Sequence, residues 1–472
     1  MRIFWRILGG VFAVAVLLAA TGGAAFYVFS HKFIPAAPDA NYPKPRDPLE
    51  AQRQDLDYFV KLIDLDRAYA PGTRAEAHRR LEALAKSNTV LDRAHLRVTL
   101  ASIAALADNG HTSLYSRKPS RAVVLPLRLA AFSDGIYVMR AMKDNADLLG
   151  ARVTAIDGRP IDEVLAKLAR VRGGTQAWRL NYARLVLNSS EFLHGLDVAP
   201  ATDRSTWTFR TRSGATVTRD LVGSQPAYEA PFPDLWRWES PDPVKGDRTP
   251  WLSFRPEGWT APIALQDPDS NFRRVRLKNS CVMLIQLRAN EGDGIGQFLA
   301  DTEADLAANK PCAIIFDNRA NGGGDYTNTA GFAGRLASHV APGGHIYLLT
   351  SVDTFSAGIT TTVFIKQAAA PGQVVILGEP VGDRLTFWAE GGGGCLPNAP
   401  FCFHYATGLH DYAHPCRDWD KCYWVNWVFP AHTDTLAPRE TLTKSFADWQ
   451  AGRDPVFDRA LALAQKDRPT GS

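Results

Sequence analysis

The chain has 472 residues, 46% apolar and 22% charged, with a formal net charge of +4. That length exceeds one compact core and predicts two or three domains of ordinary globular composition. A charge so small, with no block of like sign, excludes a partner bound by neutralising nucleic-acid phosphates.

In chain order, Ile7 to Ser30 carries no charge, follows Arg2 and Arg6, and is about 24 residues long, enough to span a bilayer core. It predicts a membrane anchor with the basic end on the cytoplasmic side. The competing reading is a cleaved signal peptide, with Gly22-Gly23-Ala24-Ala25 as its small-residue site. Either way the body is expected to be exported, periplasmic or otherwise extracytoplasmic, from a cell inner membrane. Ala36 to Pro48, rich in proline and polar residues, predicts a linker. Leu49 to Leu106 predicts helices, with Tyr58, Leu62, Ile63 and Leu65, then Leu81, Leu84, Leu91, Leu96 and Leu100, at near-helical spacing. Residues 120 to 225 predict short strands and one helix, Ile161 to Arg170, opened by an Asp157-Gly158 turn. Proline recurs from Pro226 to Pro262, a connector. From Arg276 onward strands and helices alternate. Val282 to Leu287, Ala313 to Phe316 and Ile346 to Leu349 are the strands, and Gly294 to Leu306 and Asn328 to Leu336 the helices between them. The alternation predicts an α/β core.

Three segments carry chemistry. Thr354-Phe355-Ser356-Ala357-Gly358 joins the strand His345 to Thr350 to a helix predicted over Ala357 to Ala370. A serine at the first turn of a helix lies near unpaired amides and the positive end of the dipole, where negative charge on an attacked carbonyl oxygen is stabilised. The bland reading is a helix N-cap. Asp317-Asn318-Arg319-Ala320-Asn321-Gly322-Gly323-Gly324 ends a strand in a glycine turn that lets backbone approach a substrate. Asp108-Asn109-Gly110-His111-Thr112 places a histidine in a polar loop, as a general base or as a structural loop residue.

In this order the segments resemble the tail-specific, or C-terminal processing, serine peptidases and their tricorn-core relatives. Gly378-Glu379-Pro380 adds to the match, as does Leu149 to Gly158, which resembles the closing half of a PDZ-like module, and Gly452-Arg453-Asp454-Pro455 before a last helix. The resemblance spans roughly residues 50 to 465. It implies a crotonase-like (ClpP-like) spiral of ββα units at the core, with an N-terminal helical region and a PDZ-like α+β module. The expected division is 1–35 anchor or signal, 36–48 linker, 49–118 helical region with the Gly-His-Thr motif, 119–225 PDZ-like module, 226–274 connector and 275–472 catalytic core.

One departure decides the mechanism. Many relatives pair the serine with a lysine after a Gly-Glu turn, but here the turn reads Gly378-Glu379-Pro380-Val381-Gly382-Asp383-Arg384. Arginine stays protonated and cannot act as base, and Lys366 reads as an exposed helix residue. The tricorn-like branch implies His111 as base for Ser356. Its acidic partner is left open among Asp411, Asp418, Asp420 and others. Two converging amides, Ala357 and Gly323, with Gly324 or Gly322 if the turn is shifted, are the expected oxyanion hole. Asp317, Arg319 and Asn321 would hold the turn. The expectation is a membrane-tethered serine endopeptidase acting on protein or peptide substrates, needing no cofactor and no catalytic metal. The alternatives are an inactive relative serving as a binding scaffold and an esterase of small acyl substrates.

Six cysteines accord with export. Cys395 with Cys402 and Cys416 with Cys422 bracket short loops and predict two local disulfides. Cys281 and Cys312 open apolar runs, as buried thiols or a cross-strand bridge. The rival is zinc held by His410, His414 and Cys416.

Overall fold

The computed structural model describes residues 21–117, 123, 125–224 and 235–467. The architecture is mixed α/β, built around a six-stranded sheet ordered Glu440–Thr441, Val374–Gly378, His345–Thr350, Ala313–Asp317, Val282–Leu287 and Phe272–Arg276. All neighbours are parallel except the antiparallel edge strand Phe272–Arg276. The strands read as unbroken apolar runs because both faces are covered. Met283, Ile285, Ile314, Phe316, Ile346 and Leu348 face the helices Ile295–Asn309, Thr327–Arg335 and Ala357–Ala368. The alternate residues Leu284, Ile315, Tyr347, Leu349 and Leu377 pack on Val456, Phe457 and Ala460 of the helix Pro455–Ala464.

The helical region consists of Pro48–Leu65, Pro71–Lys86 and Arg93–Ala104. The first starts where Asp47 accepts the Glu50 amide and Pro48 supplies a preset φ, and it buries Leu56, Phe59, Leu62 and Ile63. After the third, a 3-10 turn at Ala105–Ala107 releases the chain into the His111 loop. The strand Ser113–Ser116 then pairs with Phe401–Tyr405, tying this region to the C-terminal third.

A seven-stranded sheet, with Leu127–Phe132, Gly135–Ala141, Arg152–Ile156, Arg204–Arg210 and Thr216–Val222 as its main path, occupies residues 127–253. The helix Ile161–Leu168 follows the Asp157-Gly158 turn, where both residues take positive φ. Sequence reading expected a single helix here. The structure adds Gln176–Val186 and Ser190–Gly195. The first of these buries only Ala183, so its apolar periodicity is too faint to read, although Thr175 caps it by accepting the Trp178 amide.

Residues 21–33 are helical, and Phe33 is buried with its ring 5.4 Å from both Tyr423 and Trp424. The following stretch lies against the body: the carbonyls of Pro35, Pro38 and Pro43 accept from Tyr405, Tyr58 and Gln54. The proline-rich segment is thus a strap and not a free spacer. Among the described residues no helix is long and apolar enough to cross a membrane. Most of the apolar stretch Ile7 to Ser30 lies outside the described residues, as does the start of the proline-rich connector.

Candidate active site

Ser356 stands between Phe355 and the helix Ala357–Ala368 with φ 51° and ψ −125°, and its side chain makes no capping bond. This removes the N-cap reading: a cap residue has extended backbone and a hydroxyl on the N2 or N3 amide. A serine in this conformation costs on the order of 1–3 kcal/mol, which the surrounding packing must hold in place. Phe355 donates its amide to the Asn321 carbonyl, and Gly382 donates to the Thr354 carbonyl. The Thr354 hydroxyl donates to the Asn318 carbonyl. The Ser356 turn is therefore clamped between the glycine turn and the Gly378–Arg384 turn.

Five stacked rings bring the third segment in. Trp178 lies 3.9 Å from Phe355, Phe355 4.6 Å from His111, His111 5.4 Å from Phe387, and Phe387 5.1 Å from His410. His111 thus stacks directly on the residue before Ser356. Its side chain keeps 13% exposure, and both ring nitrogens are buried. Gly110 explains the Gly-His pair. A Cβ there would sit 2.8 Å from the Phe355 ring and 2.9 Å from Asp383 Oδ2, so only glycine admits both neighbours.

Asp383 is the carboxylate facing His111, with Oδ2 3.9 Å from Nδ1. That separation is beyond a hydrogen bond, although catalytic contacts often tighten only around substrate. Burial, the largest influence, pushes the Asp383 carboxyl up to about 6, against the amide of Arg384, which favours its ionised form. Burial also lowers His111 well below the ordinary imidazole value, helped by the charges of His410, His404 and Arg172. A neutral imidazole beside an anionic carboxylate is the resting state above about pH 6. Arg384 anchors this corner by donating to the carboxylate and carbonyl of Asp108 at 2.8 and 3.0 Å.

The acids named from sequence lie elsewhere. Asp411 accepts from Thr386 and the Ala413 and His414 amides, Asp418 from the Asp420 and Lys421 amides, and Asp420 pairs with Lys32 and Arg67. Lys366 is half-buried and donates to Asp434 and the Thr435 carbonyl, away from Ser356 in its own ion pair.

Gly323, at φ 120°, presses on Ser356: a Cβ would lie 2.8 Å from Ser356 Cβ and 3.2 Å from the Ala357 amide nitrogen. Its own N–H donates to Asn321 Oδ1 at 3.0 Å. Asn321 in turn donates to Asn290 and Asn318, so the turn is locked from within. Gly323 accordingly contributes its missing side chain, and its amide becomes an oxyanion donor only when the Asn321 bond opens. Ala357 opens the helix, where amides lack an intrahelical acceptor. Beneath the turn, Arg319 makes paired bonds to Asp317 and to Asp454, all at 2.8 Å. Asp454 also caps the helix Pro455–Ala464, which ties the last helix to the glycine turn.

Every cysteine is paired: Cys281 with Cys312, Cys395 with Cys402 and Cys416 with Cys422. The zinc alternative is thereby corrected, because the Cys416 sulfur is in a disulfide. His410 is engaged by Glu390, Tyr412 and Asn426.

Sequence reading missed Asp383, Trp178, Phe355 and Phe387. Phe355 is adjacent to the serine, and Asp383 lies in the Gly378–Arg384 turn that lacks a lysine. For Trp178 and Phe387 nothing local signalled proximity.

No family model matches the chain, and no curated protein matches it. Solved structures do. Mature CPAF complexed with lactacystin aligns at TM-score 0.55 and 14% identity, over 89% of this chain and 99% of its own. Mature CPAF alone gives 0.55 and 14%, over 90% and 99%. The photosystem II D1 C-terminal processing protease follows at 0.38 and 11%, over 83% and 93%. At such identities the likeness concerns architecture, and this chain has the mixed α/β fold of CPAF.

Proposed function

We propose that the protein is a serine peptidase in which Ser356 is the nucleophile, His111 the base and Asp383 the carboxylate that orients the imidazole. The observation that carries this reading is the uncapped, positive-φ Ser356 with His111 stacked on its neighbour Phe355. Ser356 Oγ attacks the peptide carbonyl carbon while His111 Nε2 takes its proton, Nδ1 being turned to Asp383. The Ala357 amide, joined by the glycine turn, receives the oxyanion. Collapse expels the amine, which leaves with the His111 proton, and the acyl group remains as a Ser356 ester. His111 then deprotonates a water that hydrolyses the ester. The crotonase-like core, PDZ-like module and endopeptidase specificity belong to the same proposal.

The proposed setting is the extracytoplasmic face of a membrane, with the N-terminal apolar stretch as tether. Three disulfides that leave no free cysteine support an oxidising compartment. An inactive scaffold is the second reading, favoured by the 3.9 Å gap between His111 and Asp383.

A fluorophosphonate probe decides between them. Wild-type protein should be labelled at Ser356, Ser356→Ala should not be, and Lys366→Ala should react like wild type. Unlabelled, folded wild type would establish the scaffold, and labelling retained in Ser356→Ala would remove the nucleophile.

A further inference from the structure

On the far side of the helical region, two histidines converge on one carboxylate. Asp92 caps the helix Arg93–Ala104, with Oδ1 accepting the Ala94 and His95 amides at 2.8 and 3.0 Å. Its Oδ2 is left outward, 2.7 Å from His95 Nδ1 and 3.7 Å from His194 Nε2. His194 belongs to the short helix Ser190–Gly195, which packs on the first turn of the other helix closely enough that a Cβ on Gly195 would lie 2.4 Å from the Ala94 carbonyl oxygen.

The opposite nitrogens are also held. His95 Nε2 faces Asp197 Oδ1 at 3.3 Å, and His194 Nδ1 donates to the Ala199 carbonyl at 3.0 Å. With His95 Nε2–H given to Asp197 and His194 Nδ1–H to Ala199, His95 Nδ1 and His194 Nε2 both face Asp92 Oδ2, and an ion entering there replaces the proton that His95 Nδ1 and Asp92 Oδ2 share in a 2.7 Å hydrogen bond. Metal-ligating histidines characteristically give their second ring N–H to a carboxylate or a backbone carbonyl, which fixes tautomer and ring angle. Both partners are present here.

The spacing agrees. Tetrahedral zinc with bonds of about 2.0–2.1 Å sets its ligand atoms roughly 3.3 Å apart, and the two separations from Asp92 Oδ2, 2.7 and 3.7 Å, fall on either side of that value. The three ligand atoms lie within 4.8 Å of one another. The neighbouring cation does not compete for the carboxylate, because Arg93 is bound to Glu191 at 2.7 Å. The side chains of His95 and His194 are 29% and 22% exposed, so an ion can enter from solvent.

We infer that Asp92, His95 and His194 form a zinc site with a fourth position open to water, Asp197 and the Ala199 carbonyl orienting the two imidazoles. The ion joins the start of the helix Arg93–Ala104 to the end of the helix Ser190–Gly195. It is remote in sequence from Ser356, and its role is to brace the helix that leads into the His111 loop.

The test is a zinc titration of the untagged full chain against a chromophoric chelator, with cobalt as a spectroscopic substitute. One zinc per chain is expected, and cobalt should give the intense visible bands of a four-coordinate site. His95→Gln and His194→Gln should each weaken zinc at least 10-fold, and Asp197→Asn, whose side chain is exposed and touches only His95, about 10-fold. Ser356→Ala and His414→Gln should bind zinc like wild type. Thermal melts should rise with zinc in wild type and stay flat in His194→Gln. Failure to bind zinc below millimolar concentration overturns the site, and so does stoichiometric zinc that survives both His194→Gln and Asp197→Asn.

Discussion

Replacing Asp383 with asparagine should make the protein more stable and less active at the same time. The carboxyl is raised from 3.8 to about 6 in the fold, a difference of about 2.2 units, or about 3 kcal/mol at 1.36 kcal/mol per unit. Because the folded value is the higher one, ionisation costs the fold that amount only above about pH 6, and nothing below about pH 3.8 where both states are protonated. Asparagine keeps the Oδ1 acceptor for the Arg384 amide at 2.9 Å and carries no charge to bury. Unfolding entropy of about 2.1 cal/mol/K per residue over 472 residues is about 1 kcal/mol/K, so the gain corresponds to roughly 3 °C. Melting curves of wild type and Asp383→Asn should therefore differ by that amount at pH 8 and converge near pH 4. His111 contributes the opposite slope in both proteins: its lowered folded value means that stability falls as pH drops through about 6.5, and this cancels in the difference. Turnover should fall on the order of 10^3-fold or more, since an amide cannot support the imidazolium that forms in attack. The acid limb of wild-type kcat/KM should lie near pH 6, where Asp383 takes up its proton. Equal stability at pH 8, or undiminished turnover in the variant, would refute the reasoning.

Further expectations concern the parts that hold this corner together. Ser356→Gly should melt higher than Ser356→Ala by about 1 kcal/mol, because only glycine adopts φ 51° without strain; equal melting would show that the turn is unstrained. Arg319→Leu should destabilise by about 3–5 kcal/mol, since it leaves Asp317 and Asp454 buried without their cation. The lowered Asp454 carboxyl, about 2 in the fold, places the corresponding wild-type loss only in strong acid, beginning below 3.8 and complete below about 2. Serine at both Cys395 and Cys402 should cost about 2 kcal/mol for a loop with sequence separation 7. It should also lower turnover, because Cys402 lies opposite Tyr115 in the strand that follows His111; unchanged turnover would detach that strand from the base.

What could be read from the sequence follows the range of the physics involved. The strands Val282–Leu287, Ala313–Asp317 and His345–Thr350 were legible because burial on both faces demands unbroken apolar runs, and they came out within a residue or so. The Ser356 turn and the glycine turn were legible because each is a local exception at a strand end. The helix Gln176–Val186 was not, since its outward residues are what matter: Trp178 reaches Phe355 and Asn181 reaches Asp353. Nothing in an exposed helical face announces which distant loop it meets.

The acid illustrates the limit most clearly. Asp411, Asp418 and Asp420 were candidates by position, yet each has a local task in a turn or a surface ion pair. Asp383 is chosen by what surrounds it. Gly110 and Gly382 leave space for Phe355 to lie between the two turns, and a Cβ at Gly382 would meet the Val352 carbonyl at 2.3 Å. Arg384 is carried to Asp108, which leaves the adjacent carboxylate buried and facing His111. On the proposed reading the absent lysine and the present Asp383 are one exchange: the Gly378–Arg384 turn supplies an anion, and the base is His111 from the loop across from it. If that exchange is the design, restoring Asp383→Lys cannot recover activity through a Ser-Lys pair, because Arg172, whose buried guanidinium already donates to the Gly110 carbonyl at 2.7 Å, would face a second cation.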